Sequence, residues 1–440
     1  MSFTRTLRAV GGAVVAGALL FGAAPAASAD QNRDDQWPLQ NFEAQRVWKE
    51  STGKGVTVAV IDDPVNGSQS DLQGNVLPGK SFIDGGRGDR GGTEDHGTAM
   101  ASLIAGHGHG AGDADGVMGL APDAKILPVG TPRLGAGEGG SGLGDWIRYA
   151  VDQHASIINL SLGSTVFTDS IKRALDYAVS KNVLVVAASG NEGNTKLEEL
   201  AASPGIVAVG AVDKAGKIWA KSNSGSQLML TAPGVGITSA SATDGEYRLA
   251  DGTSDAAAYV SGAAALLRSK FPDLTAGQIV NRLVKTAGLP PSKAGLTLPD
   301  PQYGYGFIRP LRALTQDIPA GSKNGPLKMP QADPSATASG ASSAGASGDQ
   351  ASGQKGSGIK PMLLVGVGVG VLVVIGIIVL VVVRQKKNGR NGPPPGGFGG
   401  PGGPGGPAGP GFPQQPANPY QQQPNGPGAF PPPPNQYPGQ

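Results

Sequence analysis

Asp62, His96, Asn191 and Ser254 each stand where an apolar run gives way to a loop or where a helical run begins. These residue types can together carry out nucleophilic catalysis. A serine hydroxyl is a weak nucleophile and needs a base to take its proton. An imidazole serves if a carboxylate holds its tautomer and stabilises its protonated form. A hydrogen-bond donor must then meet the oxyanion that forms. Ser254 precedes the small-residue run Ala256–Lys270, so it is predicted at a helix N-terminus, where unpaired N–H groups and the positive dipole end face outward. His96 opens H-G-T-A-M-A, a second small-residue helix start. Asp62 follows V-T-V-A-V-I, and Asn191 lies in A-S-G-N-E-G after the run Val183–Ala188. Singly, each has a plainer reading: Thr253 or Ser254 an N-cap, Asp62 a loop acid, His96 a cap, Asn191 a turn residue. It is their conjunction that points to chemistry.

The elements that must position them alternate in type. Short continuous apolar runs at Gly55–Ile61, Ile126–Val129, Ile157–Leu160, Val183–Ala188 and Ile206–Val212 read as buried strands. Helical spacing appears at Leu143–Gln153 and Ile171–Val179, and later at Ala256–Lys270 and Thr275–Lys285, with Thr275 as N-cap. The pattern predicts an α/β fold of three layers, a mostly parallel central sheet with helices on both faces. In such sheets ligands bind at the rim formed by the strands' carboxyl ends.

The rest of the chain sets bounds. With no cysteine among 440 residues, disulfides, thiolate metal sites and a cysteine nucleophile are excluded. A net charge of only +2 gives no sign of nucleic acid as partner. Residues 1–29 read as a secretory signal peptide, with Arg5 and Arg8, an apolar stretch and Ala27-Ser28-Ala29 before Asp30. Residues 30–52 form a short N-terminal leader with Trp37 and Trp48 as packing anchors, and 53–318 the globular domain. Residues 319–361 are a Ser/Ala/Gly-rich linker. Residues 362–383 are uncharged and long enough, at about 33 Å, for a transmembrane helix. Arg384, Lys386, Lys387 and Arg390 keep the following side cytoplasmic. Residues 384–440 are a Pro/Gly-rich disordered tail. The expected location is the cell membrane, single-pass, with the globular domain outside.

The order Asp, His, Ser, with H-G-T at His96 and G-T-S-x-A at Ser254, resembles the subtilisin-like (S8) serine proteases over roughly residues 37–315. The resemblance implies a triad of Asp62, His96 and Ser254 and an oxyanion donor at Asn191. It implies that Ser161, Leu162 and Gly163, within N-L-S-L-G, pair with a polypeptide substrate's backbone, with glycine-rich Gly135–Gly144 as the opposite wall. It implies no cofactor for catalysis; structural calcium is a family possibility without an assigned site here, Asp113 and Asp115 reading equally as exposed loop acids. The layout of signal, leader, protease, linker and membrane helix is similar to the mycosins, which implies type VII secretion membrane components as partners.

Three positions depart from the family pattern. Asp63-Pro64 follows Asp62 in place of a hydroxyl residue and glycine, Asp255 follows Ser254 in place of an apolar residue, and Ala258 replaces a proline. An anion beside a developing oxyanion raises the barrier, each ~1.4 kcal/mol costing tenfold in rate. Two classes of function therefore stand: a membrane-anchored serine endopeptidase, and a catalytically weak or inactive scaffold that binds peptides in the same cleft.

Overall fold

Valine, isoleucine and alanine dominate the strand runs, and β-branched side chains pack well on a pleated surface covered on both faces. The computed structural model describes residues 31–91, 94–132, 142–163 and 167–329. In chain order the elements are α1 (Gln31–Asp34), α2 (Trp37–Asn41), α3 (Ala44–Glu50), β1 (Thr57–Asp62), β2 (Lys80–Ser81), α4 (His96–Ala105), β3 (His107–His109), β4 (Asp115–Met118), β5 (Lys125–Gly130), α5 (Leu143–Asp152), β6 (Ile157–Leu160), α6 (Asp169–Ser180), β7 (Leu184–Ala188), β8 (Ile206–Val212), β9 (Leu228–Pro233), β10 (Ile237–Ala240), β11 (Tyr247–Ala250), α7 (Thr253–Lys270), α8 (Ala276–Thr286) and α9 (Pro310–Thr315).

Seven strands form one sheet in the order β2-β5-β1-β6-β7-β8-β9. Every pairing between these neighbours is parallel. Strand side chains alternate between the faces. Val58, Val60, Ile157, Val186 and Val209 enter one core with α4, α7 and α8. Ala59, Ile61, Ile158, Val185 and Ala208 enter the other with α5 and α6. The three-layer α/β arrangement is thus present. From β1 the chain moves out to β2 at one edge, returns to β5 beside β1, then crosses to β6 on the other side of β1. The strand order reverses at β1, and a crevice at the carboxyl end of β1 follows from that topology.

Helix α7 starts at Thr253, three residues before the predicted run, and is buried continuously from Thr253 to Leu267. Its alanines and glycine let it lie deep against the sheet. Helix α8 has the predicted cap: Thr275 and Gln278 form a reciprocal capping box. Strand β9 and the hairpin β10–β11 escape a reading of the sequence, because the polar residues in T-A-P and I-T-S-A break an apolar run.

The leader is docked onto the domain. Arg33 donates to the carbonyls of Asp113, Asp115 and Gly116. Gln36 exchanges two 2.8 Å hydrogen bonds with the backbone of Met118. The Trp37 indole N–H donates to Val235 O and Gly236 O, and that of Trp48 to Leu120 O. At the other end, residues 319–328 lie against the domain: Asn281 of α8 donates to Pro319 O, and Gly205 N, just before β8, donates to Lys328 O. The segment is poor in large apolar groups, but its main-chain carbonyls are satisfied by α8 side chains, which composition does not reveal. The signal peptide, residues 330–361 of the linker, the 362–383 segment and the 384–440 tail lie outside the described residues. Among the described residues no helix is long and apolar enough to cross a membrane.

Candidate active site

The carboxyl end of β1 places Asp62, which is 3% exposed. Thr131, just past β5, donates its N–H to Asp62 O at 2.7 Å and fixes the strand end. Asp62 Oδ1 accepts from the Asp63 N–H at 2.9 Å and lies 2.7 Å from His96 Nδ1. In the neutral ring, donation from Nδ1–H to Asp62 leaves His96 Nε2 as the acceptor, the tautomer a general base requires. Asp62 Oδ2 is buried without a hydrogen-bond partner. His96 is the first residue of α4, and the next position must be glycine: a Cβ on Gly97 would collide with the Asp63 carbonyl. The Gly97 N–H, one of the helix's unpaired first-turn donors, is taken by Asp63 Oδ1. The departure at Asp63 therefore has a structural use, tying the histidine's helix to the end of β1. Burial, then the charge of Asp62, pushes the Asp63 carboxyl up to about 6.

Burial disfavours a protonated His96, but the charge of Asp62 and the hydrogen bond it accepts outweigh that, with a further contribution from Asp255. The imidazole is pushed up to about 9.

Ser254 sits in the first turn of α7, after Gly252, which caps without a side chain in an extended conformation. Ser254 is 7% exposed, and its Oγ donates to Ser161 O at 3.4 Å. It is therefore not the helix cap. Nor is Thr253: its N–H and hydroxyl both donate to Asn191 Oδ1, at 2.9 and 2.8 Å. With its oxygen so held, the Asn191 amide has its Nδ2 donors left over.

Asp62, His96, Ser161, Leu162, Gly163, Asn191 and Ser254 all line one cleft of ≈ 290 Å³. Among the described residues, none of the leader lines it. Of the predicted wall Gly135–Gly144, residues 135–141 lie outside the described residues, and Leu143 and Gly144 open α5. The remaining histidines are elsewhere: His109 Nδ1 is 2.6 Å from Asp71, His107 bonds Gln73 O, and His154 follows α5. The carbonyls of Asp113 and Asp115 accept from Arg33 of the leader. Among the described residues no group of three or more acidic or histidine side chains is placed to hold a metal.

Two supporting residues escape sequence reasoning. Asn159, fully buried in β6, donates to Ser161 Oγ and accepts from Ser261 Oγ of α7, both at 2.9 Å. Removing either partner strands a buried amide group at a cost of about 1–3 kcal/mol. The signal is there, a lone amide in I-I-N-L. Asn223 accepts from the Glu192 and Asn194 N–H groups and donates to Glu192 Oε2, which sets the loop carrying Asn191. Nothing local in S-N-S-G marks it.

Asp255 is 1% exposed and faces Arg248 of β11, Oδ1 to Nη2 at 3.5 Å. Burial raises its carboxyl, while Arg248 and then His96 act in the opposite sense.

A model of the subtilase family matches residues 53–306. The thermophilic serine proteinase of Bacillus sp. (strain AK1) is 38% identical over 237 residues, 53% of this chain and 58% of its own length. The chain thus spans little more than half of that relative. Mycosin-1 of Mycolicibacterium smegmatis is 30% identical over 357 residues, 68% of this chain and 77% of its own. Among solved structures, MycP1 from Mycobacterium smegmatis superimposes with a TM-score of 0.56 at 30% identity, covering 70% of this chain and 91% of that one. The MycP3 protease from the type VII (ESX-3) secretion system gives 0.54 at 31% identity, covering 64% and 88%.

Proposed function

The chain belongs to the subtilase family and is related to the mycosins, and from that premise we propose that it is a serine endopeptidase whose catalytic triad is Asp62, His96 and Ser254. His96 Nε2 takes the Ser254 proton as Oγ attacks the scissile carbonyl. Asp62 holds the ring and balances the imidazolium. Asn191 Nδ2 and the Ser254 backbone N–H, at the positive end of α7, receive the oxyanion. The imidazolium then protonates the leaving amine, and water hydrolyses the acyl-enzyme by the same relay. Ser161–Gly163 supports the substrate's backbone as an added strand. The 362–383 segment anchors the protein, with the peptidase domain outside the cell and the tail inside, where membrane components of type VII secretion are its partners.

The observation that carries this reading is the 2.7 Å contact between His96 Nδ1 and buried Asp62, in the same cleft as Ser254. Labelling of the full-length protein by a fluorophosphonate tests it. Modification at Ser254 is the expected result; a folded protein that stays unlabelled sinks the enzyme mechanism. The scaffold reading is favoured by one observation, that Ser254 Oγ bonds Ser161 O. Catalytic hydrogen bonds are often unformed without substrate, so we favour the endopeptidase.

The site also sets the pH response. A general base works neutral, and His96 is held protonated up to about 9. Acylation is therefore expected to rise with pH through a limb near that value, well above the ~6.5 of a free imidazole. Rates of fluorophosphonate labelling between pH 5 and 10 check this, and a flat profile would count against His96 as the base. Asn191→Leu is expected to lower kcat by about 10²–10³-fold with little change in KM, because the donor acts on charge that exists only in the transition state. Steady-state kinetics on a peptide substrate give the answer.

A further inference from the structure

A buried carboxylate directly after the nucleophile needs an explanation, since it faces both the base and the site of negative charge development. Asp255 is the third residue of α7, where the helix dipole favours an anion. That alone does not hold it. Its Oδ1 has no hydrogen-bond partner, and one turn along α7 the buried Tyr259 hydroxyl has none either. A Cβ on Gly252 would approach its other oxygen to 2.9 Å, so the glycine before the helix leaves room for the carboxylate. The nearest charge of opposite sign is Arg248, whose side chain is 20% exposed, whose Nη2 is 3.5 Å away and whose Nε has no hydrogen-bond partner; protonated His96 is the second. A buried charge that loses its partner is strongly unfavourable.

We propose that Arg248 is a positioning residue: as the counter-ion of Asp255 it neutralises the carboxylate beside Ser254 and so sets the charge environment in which His96 and the oxyanion operate. The hairpin β10–β11 thereby becomes part of the catalytic electrostatics, although Arg248 does not line the cleft. Around His96 the charged groups are Asp62 and Asp63 at the end of β1, Glu94 and Asp95 just before α4, Asp255 on α7 and Arg248 on β11, with Glu192 and Glu198 lining the same cleft. Asp255 favours the protonated ring and Arg248 opposes it. The two act on the ring in opposite senses, so removing one member is expected to have the opposite consequence to removing the other. This inference rests on the reading of Ser254 as nucleophile and His96 as base.

The test compares fluorophosphonate labelling rates against pH for the full-length protein and four variants. Arg248→Met removes the cation that opposes protonation of His96. Its acid limb moves up by about one pH unit, and labelling at pH 7 falls about tenfold. Asp255→Asn moves the limb down and raises the rate at pH 7. Arg248→Met/Asp255→Asn returns to within about threefold of the parent, and Arg248→Lys keeps the parent limb. A purely structural role changes thermal stability without moving the limb in opposite directions. Identical limbs in the two single variants, or a double variant no faster than Arg248→Met, overturn the proposal. Should Arg248→Met not fold, Asp255→Asn decides it, an unmoved limb being the refutation. A parent protein unlabelled at every pH overturns this inference and the triad together; a labelled parent with invariant limbs overturns the pair alone.

Discussion

Ser254→Ala is expected to reduce kcat for peptide hydrolysis by about 10⁶-fold, the size of loss seen when a subtilisin loses its serine. The substitution removes the only atom proposed to bond the substrate carbonyl. Little else changes: Ser254 Oγ makes a single long bond, to Ser161 O, and the Ser254 carbonyl still accepts from Ser161 Oγ at 3.2 Å. Stability should therefore shift by less than about 1 kcal/mol, since one weak side-chain hydrogen bond is lost. A residual rate of about 10³–10⁴-fold over water is expected from the remaining binding and oxyanion groups. Kinetics with a fluorogenic peptide, alongside a melting curve, test both parts. A Ser254→Ala variant that stays folded and keeps more than a hundredth of parental activity removes Ser254 from the mechanism.

Asp62→Ala comes second, with an expected loss of about 10⁴-fold in kcat. Asp62 does two jobs, and the structure separates them. Its Oδ1 orients the ring through Nδ1, and its charge stabilises the imidazolium. Alanine removes both. Asp62→Asn removes the charge in either orientation of its amide. With the amide oxygen at the Oδ1 position, the Asp63 N–H and His96 Nδ1–H remain satisfied and the tautomer survives. Turned over, the amide NH₂ would oppose the Asp63 N–H and force the wrong tautomer. Asparagine should thus lie between parent and alanine in kcat. In both variants the acid limb of the pH profile should fall from near 9, because the largest influence raising His96 is gone. Kinetics from pH 5 to 10 measure this. An unmoved limb in both variants is incompatible with Asp62 as the partner of His96.

The role of Asp63 shows where local reasoning reaches its limit. As a departure beside the triad acid, it counts in the sequence as a reason to doubt catalysis. Its side chain instead accepts from Gly97 N and so secures the helix that carries His96. Asp255 is similar. Its position in the first turn of α7 follows from the chain, but its partner does not. Arg248 lies seven residues earlier in a hairpin whose strands have no apolar run, and only the folded hairpin turns it toward the helix.

Strand runs of β-branched residues, their alternation with helical spacing, and four polar residues at element ends were enough to establish the fold class, the family and the candidate site. Those features are local, or depend only on order along the chain, so a sequence carries them directly. What tertiary structure decided is pairing across distance. It joins Asn159 of β6 to Ser261 of α7, holds the Asn191 amide by way of Thr253, and ties Pro319 to Asn281 of α8. It also supplies Asp255 with Arg248. Polar partnerships of this kind leave no periodicity, because a buried hydrogen bond or ion pair requires only that two groups meet. Where they meet is set by packing of the whole sheet and its helices.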